Sequence, residues 1–340
     1  MCFHYLLIIL TFLCFNLGHS APESSLLSID PQQKQSIPLS PVWSQELDKA
    51  FLQAQEEQKI LIVAFLGDGW CPWAEKIKKD VLNDPEFLKS LKSVALCAAV
   101  SLDEEESKRN RELRDIFHID QSPTIVLFDY SQEEIARLGF MPLSAKDFAA
   151  QILELAQDFE EVIAFLKNPK TSSSEERITQ LYLNAKKLSS KSYLDQLMQI
   201  GLKKEKGSFF ILEKYAQVLE KSKFKSETVQ KLRKELMDKD PDNRMGTQLK
   251  MAVLEFQKLG AKVKGKRSIY KAVSPLVHFA EKFGKDDQEN LWKVEMMIAQ
   301  FLFTKNEREQ ALIHAKASLQ AAPENVKPEV KDVVDYMIGS

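Results

Sequence analysis

Six consecutive apolar residues, Ile60-Leu61-Ile62-Val63-Ala64-Phe65, constrain this chain more than any other segment. A run of that length reads as a buried strand. The flanking pattern supplies the neighbours such a strand needs. Before it, Leu47, Ala50, Phe51 and Ala54 fall on one helical face. After it, residues 71 to 82 return to helical spacing, and Asp84-Pro85-Glu86 opens a helix with Asp as cap and Pro in the first turn. Ser93 to Val100 is a second apolar run and reads as another buried strand. Leu113, Ile116 and Phe117 mark a helix. Thr124 to Phe128, a polar turn from Asp129 to Glu134, and a short strand ending at Leu138-Gly139 form a hairpin. Ser144-Ala145-Lys146-Asp147 is a capping box that opens a last helix. The order α-β-α-β-α-β-β-α predicts an α/β domain over residues 41–157, with a central mixed sheet and helices on both faces.

Residues 158–340 carry no comparable strands and predict an all-α, helical-repeat-like domain. Ile178, Leu181, Tyr182, Ala185 and Leu188 form one apolar stripe, and Asn168-Pro169, Gly207, Asp240-Pro241, Gly265 and Gly284 act as breakers. The clearest helix pair carries Ile298, Ala299 and Leu302 on one helix and Ala311, Ala315 and Ser318 on the next, closed by Pro323. Small residues at such a crossing let two backbones approach. The spacing resembles a tetratricopeptide unit of about 34 residues. Asp240-Pro241-Asp242-Asn243 echoes Ala322-Pro323-Glu324-Asn325 as a helix end.

The N-terminus reads as a targeting segment, not as fold. Tyr5 to Leu17 is a short apolar run, and Gly18-His19-Ser20-Ala21 suits cleavage after Ser20, giving a signal peptide over residues 1–20. The absence of Lys or Arg before the run leaves an uncleaved anchor as the alternative. Cys14 follows the bulky Leu13, which argues against lipoprotein processing. Residues 21–40, rich in Ser, Pro and Gln, read as a linker. Export, to a bacterial periplasm, removes Cys2 and Cys14 and leaves Cys71 and Cys97. Cys97 lies inside an apolar strand, where a cysteine is usually a small core residue. A crosslink between a helix start and a strand interior is not expected, since it needs α-carbons within about 7 Å. The formal net charge of −2 points to no polyanionic partner.

The chemistry is concentrated in Trp70-Cys71-Pro72-Trp73-Ala74. Together with Phe65-Leu66-Gly67-Asp68-Gly69, the helix containing Val81 to Phe87, Asn110, Leu113, Ser122-Pro123-Thr124 before a strand, and Gly139 at the hairpin's end, it resembles the thioredoxin superfamily. Within that superfamily it is most similar to exported bacterial thioredoxin-like proteins with a Trp-Cys-x-Trp-Cys motif. The resemblance covers about 110 residues in order. It implies Cys71 as the attacking thiol, Pro123 as a cis-proline facing it, Ser122 as a source of backbone hydrogen bonds to an extended peptide, and Trp70, Pro72 and Trp73 as the rim of a substrate-binding groove. Physical chemistry points the same way. A thiolate at a helix start faces unpaired backbone N–H groups and the positive end of the dipole, so an exposed, unpaired thiol there is expected to be reactive. Lys76 and Lys79 read as a solvated helix face.

Two departures alter the expected activity. Ala74 stands where the resolving cysteine belongs, and the preceding strand offers Ala64 and Phe65 in place of a buried acid. A lone thiol cannot store two electrons as an internal disulfide. It can attack a client disulfide and be released by a client thiol, which is isomerisation, or by an outside thiol reductant. The expected function is therefore monothiol disulfide-isomerase-like exchange on folding secreted or envelope proteins. The alternative is a redox-inactive binding or chaperone module with a helical docking domain. No cofactor and no metal is implied. His118, His278 and His314 lack ligand spacing, and Gly67-Asp68-Gly69 is too short for a phosphate loop. Lys262 to Arg267 reads as a solvated basic loop between helices, not a nucleic-acid surface. Asp103 to Glu106 suits the start of a helix. After signal removal no integral membrane segment is expected.

Overall fold

The computed structural model describes residues 36–103, 107–169, 173–204 and 207–339. The signal segment, Cys2, Cys14 and most of the linker lie outside the described residues. The chain divides into two compact units between Ala156 and Gln157.

The first unit is an α/β sandwich around the strand β1, Ile60–Leu66, every residue of which is buried. It pairs in parallel with β2, Ala95–Ser101, and antiparallel with β3, Thr124–Phe128, which pairs antiparallel with β4, Glu134–Gly139. The mixed sheet has the order β2-β1-β3-β4. Helix α1, Leu47–Glu57, brings Leu47, Ala50, Phe51 and Ala54 onto the face bearing Leu61, Val63 and Phe65. Leu113 of α4, Lys108–Ile116, joins the same cluster, and Phe51 meets Phe128 edge to face at 5.2 Å. Ile60, Ile62 and Ala64 alternate to the other face and are equally buried. Phe87 of α3, Pro85–Leu91, stacks with Phe148 of α5, Ala145–Lys167, at 6.1 Å.

The segment expected to be one helix over 71–82 is two geometries in series. An α-helix, α2, spans Pro72–Ile77 and widens into a π-helical turn over Lys78–Leu82. The wider turn closes with Asn83 N–H donating to Lys78 O at 3.1 Å, and the buried indole N–H of Trp43 donates to Leu82 O at 3.0 Å. Asp84 then caps α3 by accepting from the N–H groups of Glu86 and Phe87. Of the acidic run Asp103–Glu106, the described residue Asp103 precedes α4. That helix opens at Lys108 with Ser107 as its cap, and residues 104–106 lie outside the described residues.

In the second unit the described residues contain no strand. After α5 come α6 (Glu175–Ala185), α7 (Lys191–Lys204), α8 (Phe209–Lys221), α9 (Glu227–Lys239), α10 (Thr247–Gly260), α11 (Lys266–Phe283), α12 (Gln288–Thr304), α13 (Arg308–Ala321) and α14 (Lys327–Gly339). From α6 onward each helix packs on the next in chain order, the pattern of stacked helix pairs. Leu188 is buried but falls in the turn after α6, not on its stripe, because the helix ends at Ala185. Lys266 and Arg267 belong to the first turn of α11, not to a loop, and Lys266 pairs with Glu307 at 3.1 Å. Asp240 and Asn243 explain the Asp-Pro-Asp-Asn break: their side chains accept from Thr247 N–H at 2.9 Å and Gln248 N–H at 3.0 Å, so the end of α9 caps α10.

The α12–α13 pair is closed by small residues. Ala299, Ala311, Ala315 and Ser318 are fully enclosed, and Ser318 Oγ–H donates to Trp292 O at 2.7 Å. Enlarging a side chain at this seam must force the helices apart. Ala315→Leu is expected to lower stability by about 1–3 kcal/mol, read as a reduced urea midpoint. An unchanged midpoint would contradict tight packing at the crossing.

Candidate functional site

The antiparallel register of β1 and β3 sets Phe65 opposite Thr124. The loop leaving β1 therefore meets the loop entering β3, and these loops carry Trp70-Cys71 and Ser122-Pro123. The Ser122–Pro123 peptide is cis. Ser122 bridges the loops twice. Its Oγ accepts from Gly67 N–H at 2.7 Å, and its carbonyl oxygen accepts from the Cys71 thiol at 3.3 Å. The resemblance gave Ser122 a role toward bound peptide; here it also positions the nucleophile's own loop.

Cys71 is the N-cap of α2, with Pro72 as the first helical residue. The thiol is not the exposed group expected from the sequence. Cys71 is only 5% accessible, because its sulfur turns inward onto the Ser122 carbonyl. Its neighbours are the exposed ones: Trp70 is 56% and Trp73 54% accessible, and Pro72 is exposed as well. The Trp70 indole lies over Gly67, where an added Cβ would come within 2.3 Å of ring carbons. Trp73 stacks with Phe140, just beyond β4, at 4.7 Å between centroids. Beside Trp70 a cavity of about 590 Å³ is lined by Arg114, His118, Asp120 and Ser122 among others. The loops that carry Trp70 and Ser122 thus border a polar recess, and Trp70 and Trp73 form an aromatic rim.

Ala74 is fully buried, so the position of a second thiol is filled by a methyl group. Cys97 is buried in β2 and is a free thiol, as is Cys71. Burial pushes the Cys97 thiol up to about 12, so it remains protonated at neutral pH.

A buried charge cluster ties down the thiol loop. Lys78 is 1% accessible. Its ammonium meets Glu75 at 2.8 Å and Ser36 Oγ at 2.9 Å, and pairs closely with Asp68. Those three acceptors match its three N–H donors. Glu75 also accepts from Gly69 N–H at 3.0 Å and Ile37 N–H at 2.7 Å. One buried cluster therefore ties the Gly67-Asp68-Gly69 turn and residues Ser36-Ile37 to α2. Burial pushes the Glu75 carboxyl up, but hydrogen bonds from Lys78, Ile37 and Gly69 outweigh it and hold the group below the usual carboxylate range. A signal was present in the sequence: Lys78 falls on the buried stripe Ala74, Ile77, Val81 and Leu82, one turn from Glu75. Lys76, by contrast, pairs with Asp80 at 2.7 Å on the exposed helix face. Phe140 was missed because nothing local marks its partnership with Trp73.

The remaining candidates do not converge on this site as a group. His118 lines the recess with a left-handed backbone, His278 is exposed in the second unit, and His314 pairs with Glu295 at 2.6 Å. Among the described residues no group of three potential metal ligands comes together, and no helix is long and apolar enough to cross a membrane.

A mixed sheet of this order, with a helix-capping cysteine opposite a cis-proline loop, makes the first unit a thioredoxin-like domain. The thioredoxin-like family matches residues 42–129. The chain is 29% identical to the thioredoxin-related protein DsbJ of Chlamydia pneumoniae over 305 residues, covering 87% of each chain. It is 25% identical to the disulfide bond reductase DsbH of Chlamydia pneumoniae over 129 residues, covering 36% of this chain and 76% of that one. Among solved structures, a DsbH oxidoreductase is similar at 19% identity and a TM-score of 0.33, covering 38% of this chain and 94% of that one.

A pH test follows from the cluster. A carboxyl held below its ordinary value contributes stability above that value, near 4.5, and loses the contribution as pH falls through its folded value. Glu75→Gln is expected to be less stable than wild type at neutral pH, with the gap closing under acid conditions. Urea unfolding at several pH values checks this; a gap independent of pH would contradict it.

Proposed function

We propose that this protein is an exported thiol-disulfide exchange protein in which Cys71 is the sole nucleophile, acting as a monothiol isomerase on folding secreted or envelope proteins. The observation that carries the reading is the setting of the Cys71 sulfur: a free thiol at a helix start, held against the cis-proline loop, between two exposed tryptophans, with Ala74 behind it. The names of the relatives, a thioredoxin-related protein and a disulfide bond reductase, support a redox role.

The chemistry balances without an external oxidant. The Cys71 thiolate attacks one sulfur of a client disulfide, forms a mixed disulfide and releases a client thiolate. A client thiolate then attacks the client's own sulfur in the mixed disulfide. A new client disulfide forms and Cys71 leaves as thiolate, so nothing is oxidised or reduced overall. Trp70, Pro72 and Trp73, with Phe140 behind Trp73, offer apolar contact to the client segment. Ser122 and Pro123 offer the groove edge. Cys97, protonated and buried, takes no part. If an outside thiol releases the client instead, the same site performs monothiol-assisted reduction. A periplasmic location fits the leader read from the sequence and is proposed with it.

A second reading is favoured by one observation, the low accessibility of Cys71. In it the groove holds extended peptide without chemistry, and the helical unit supplies a further docking surface. Incubation with a scrambled-disulfide client separates the two readings. The exchange account expects Cys71→Ser to lose essentially all reshuffling while still binding the client. Equal rates for the two proteins would leave only the binding module.

A further inference from the structure

We infer that Lys78 is a positioning residue for Cys71: its buried ammonium offsets one of the two carboxylates, Asp68 and Glu75, that the loop and helix bring to the turn of the thiol, and so sets how fast that thiol reacts. The inference rests on the reading of Cys71 as the nucleophile.

Both carboxylates belong to the segment that carries the thiol: Asp68 lies just before Cys71, and Glu75 accepts from Gly69 N–H at 3.0 Å. Cys71 N–H donates to Gly67 O at 3.2 Å, which closes the turn that contains Asp68. Glu75 N–H donates to Cys71 O at 3.2 Å, one helical turn away. Each carboxylate, left alone, would oppose a negative sulfur by like-charge repulsion. In a partly buried setting that repulsion is screened much less than at an exposed surface. Lys78, enclosed and bonded to both, reduces the local charge from two negatives to one. The exposed Lys76 cannot substitute, since it already pairs with Asp80 in water. Further charged or titratable groups, Arg114, Asp115, His118 and Asp120, line the recess beside Trp70. They are the same in every variant below.

The structural role of such a cluster and its electrical role predict different patterns. Four proteins are compared: wild type, Asp68→Asn, Lys78→Met and the double variant, whose cluster charges are −1, 0, −2 and −1, counted from Asp68, Glu75 and Lys78. The reading is the rate at which Cys71 is carbamidomethylated by iodoacetamide at one pH below about 8.5, the ordinary thiol value. In that reaction the thiolate sulfur displaces iodide and forms a carbon–sulfur bond, so the rate follows the thiolate fraction. Peptide mass spectrometry assigns the label to Cys71. We expect Asp68→Asn to react severalfold faster, Lys78→Met severalfold slower, and the double variant to return to the wild-type rate. A double variant displaced further than either single one, or both single variants moving in the same direction, would overturn the inference. If circular dichroism finds Lys78→Met unfolded, Asp68→Asn decides alone, and an unchanged or slower rate overturns it. No client enters this assay. A protein inactive on scrambled disulfides that still follows the charge series would lose the proposed function and keep the role of Lys78.

Discussion

The antiparallel pairing of β1 with β3 is the constraint on which the site depends. It brings the loop that leaves one strand to the loop that enters the other, and Ser122 joins them with a side-chain bond to Gly67 and a carbonyl facing Cys71. The pairing is possible because β1 is apolar along its whole length and can be covered on both faces. From that arrangement follow the helix start at Pro72, the outward tryptophans and the inward sulfur. The buried charge cluster holds the same loop from the other side, through Asp68 and Gly69. Breaking a buried pair of this kind by removing one partner typically costs about 3–5 kcal/mol. The loop that presents the thiol is therefore part of the folded core's electrostatics, not an appendage to it.

A single nucleophile changes what the fold can do. Ala74 is enclosed, and Cys97 is held protonated in the sheet, so neither offers a resolving sulfur. In the proposed exchange, a mixed disulfide at Cys71 waits for a thiol from outside the domain. In the same proposed exchange, the inward turn of the sulfur onto Ser122 sets a condition on attack: a client would displace that contact as it reaches the thiol.

Much of this was legible in the sequence, for local reasons. The strand runs, the Asp84-Pro85 and Ser144–Asp147 caps, and the motif residues Trp70, Cys71, Trp73, Ser122 and Pro123 are short-range signals, and the sheet and thiol loop follow from them. The helix breaks at Gly207, Asp240-Pro241 and Gly284 are local too. What escaped was non-local or ran against a residue's default. Lys78 was hidden because lysine is almost never fully buried without partners, and its partners Asp68 and Ser36 lie outside its helix. Phe140 meets Trp73 only after the hairpin folds back. The exposure of Cys71 was misjudged because a helix cap is usually at the surface, and the sequence does not say which way its side chain turns. Leu188 fits the apolar period of α6 but follows the helix's end, where burial and helicity part company.

The account's central claim is that Cys71 reacts with client disulfides and cannot release them by itself. Mass spectrometry of the native protein, with free thiols alkylated at the moment of lysis, tests this most directly. The account predicts that a measurable fraction carries a client polypeptide linked through Cys71, released by added reductant and absent from Cys71→Ser. A native population in which Cys71 carries only the alkylating reagent, under conditions where clients are folding, would contradict it.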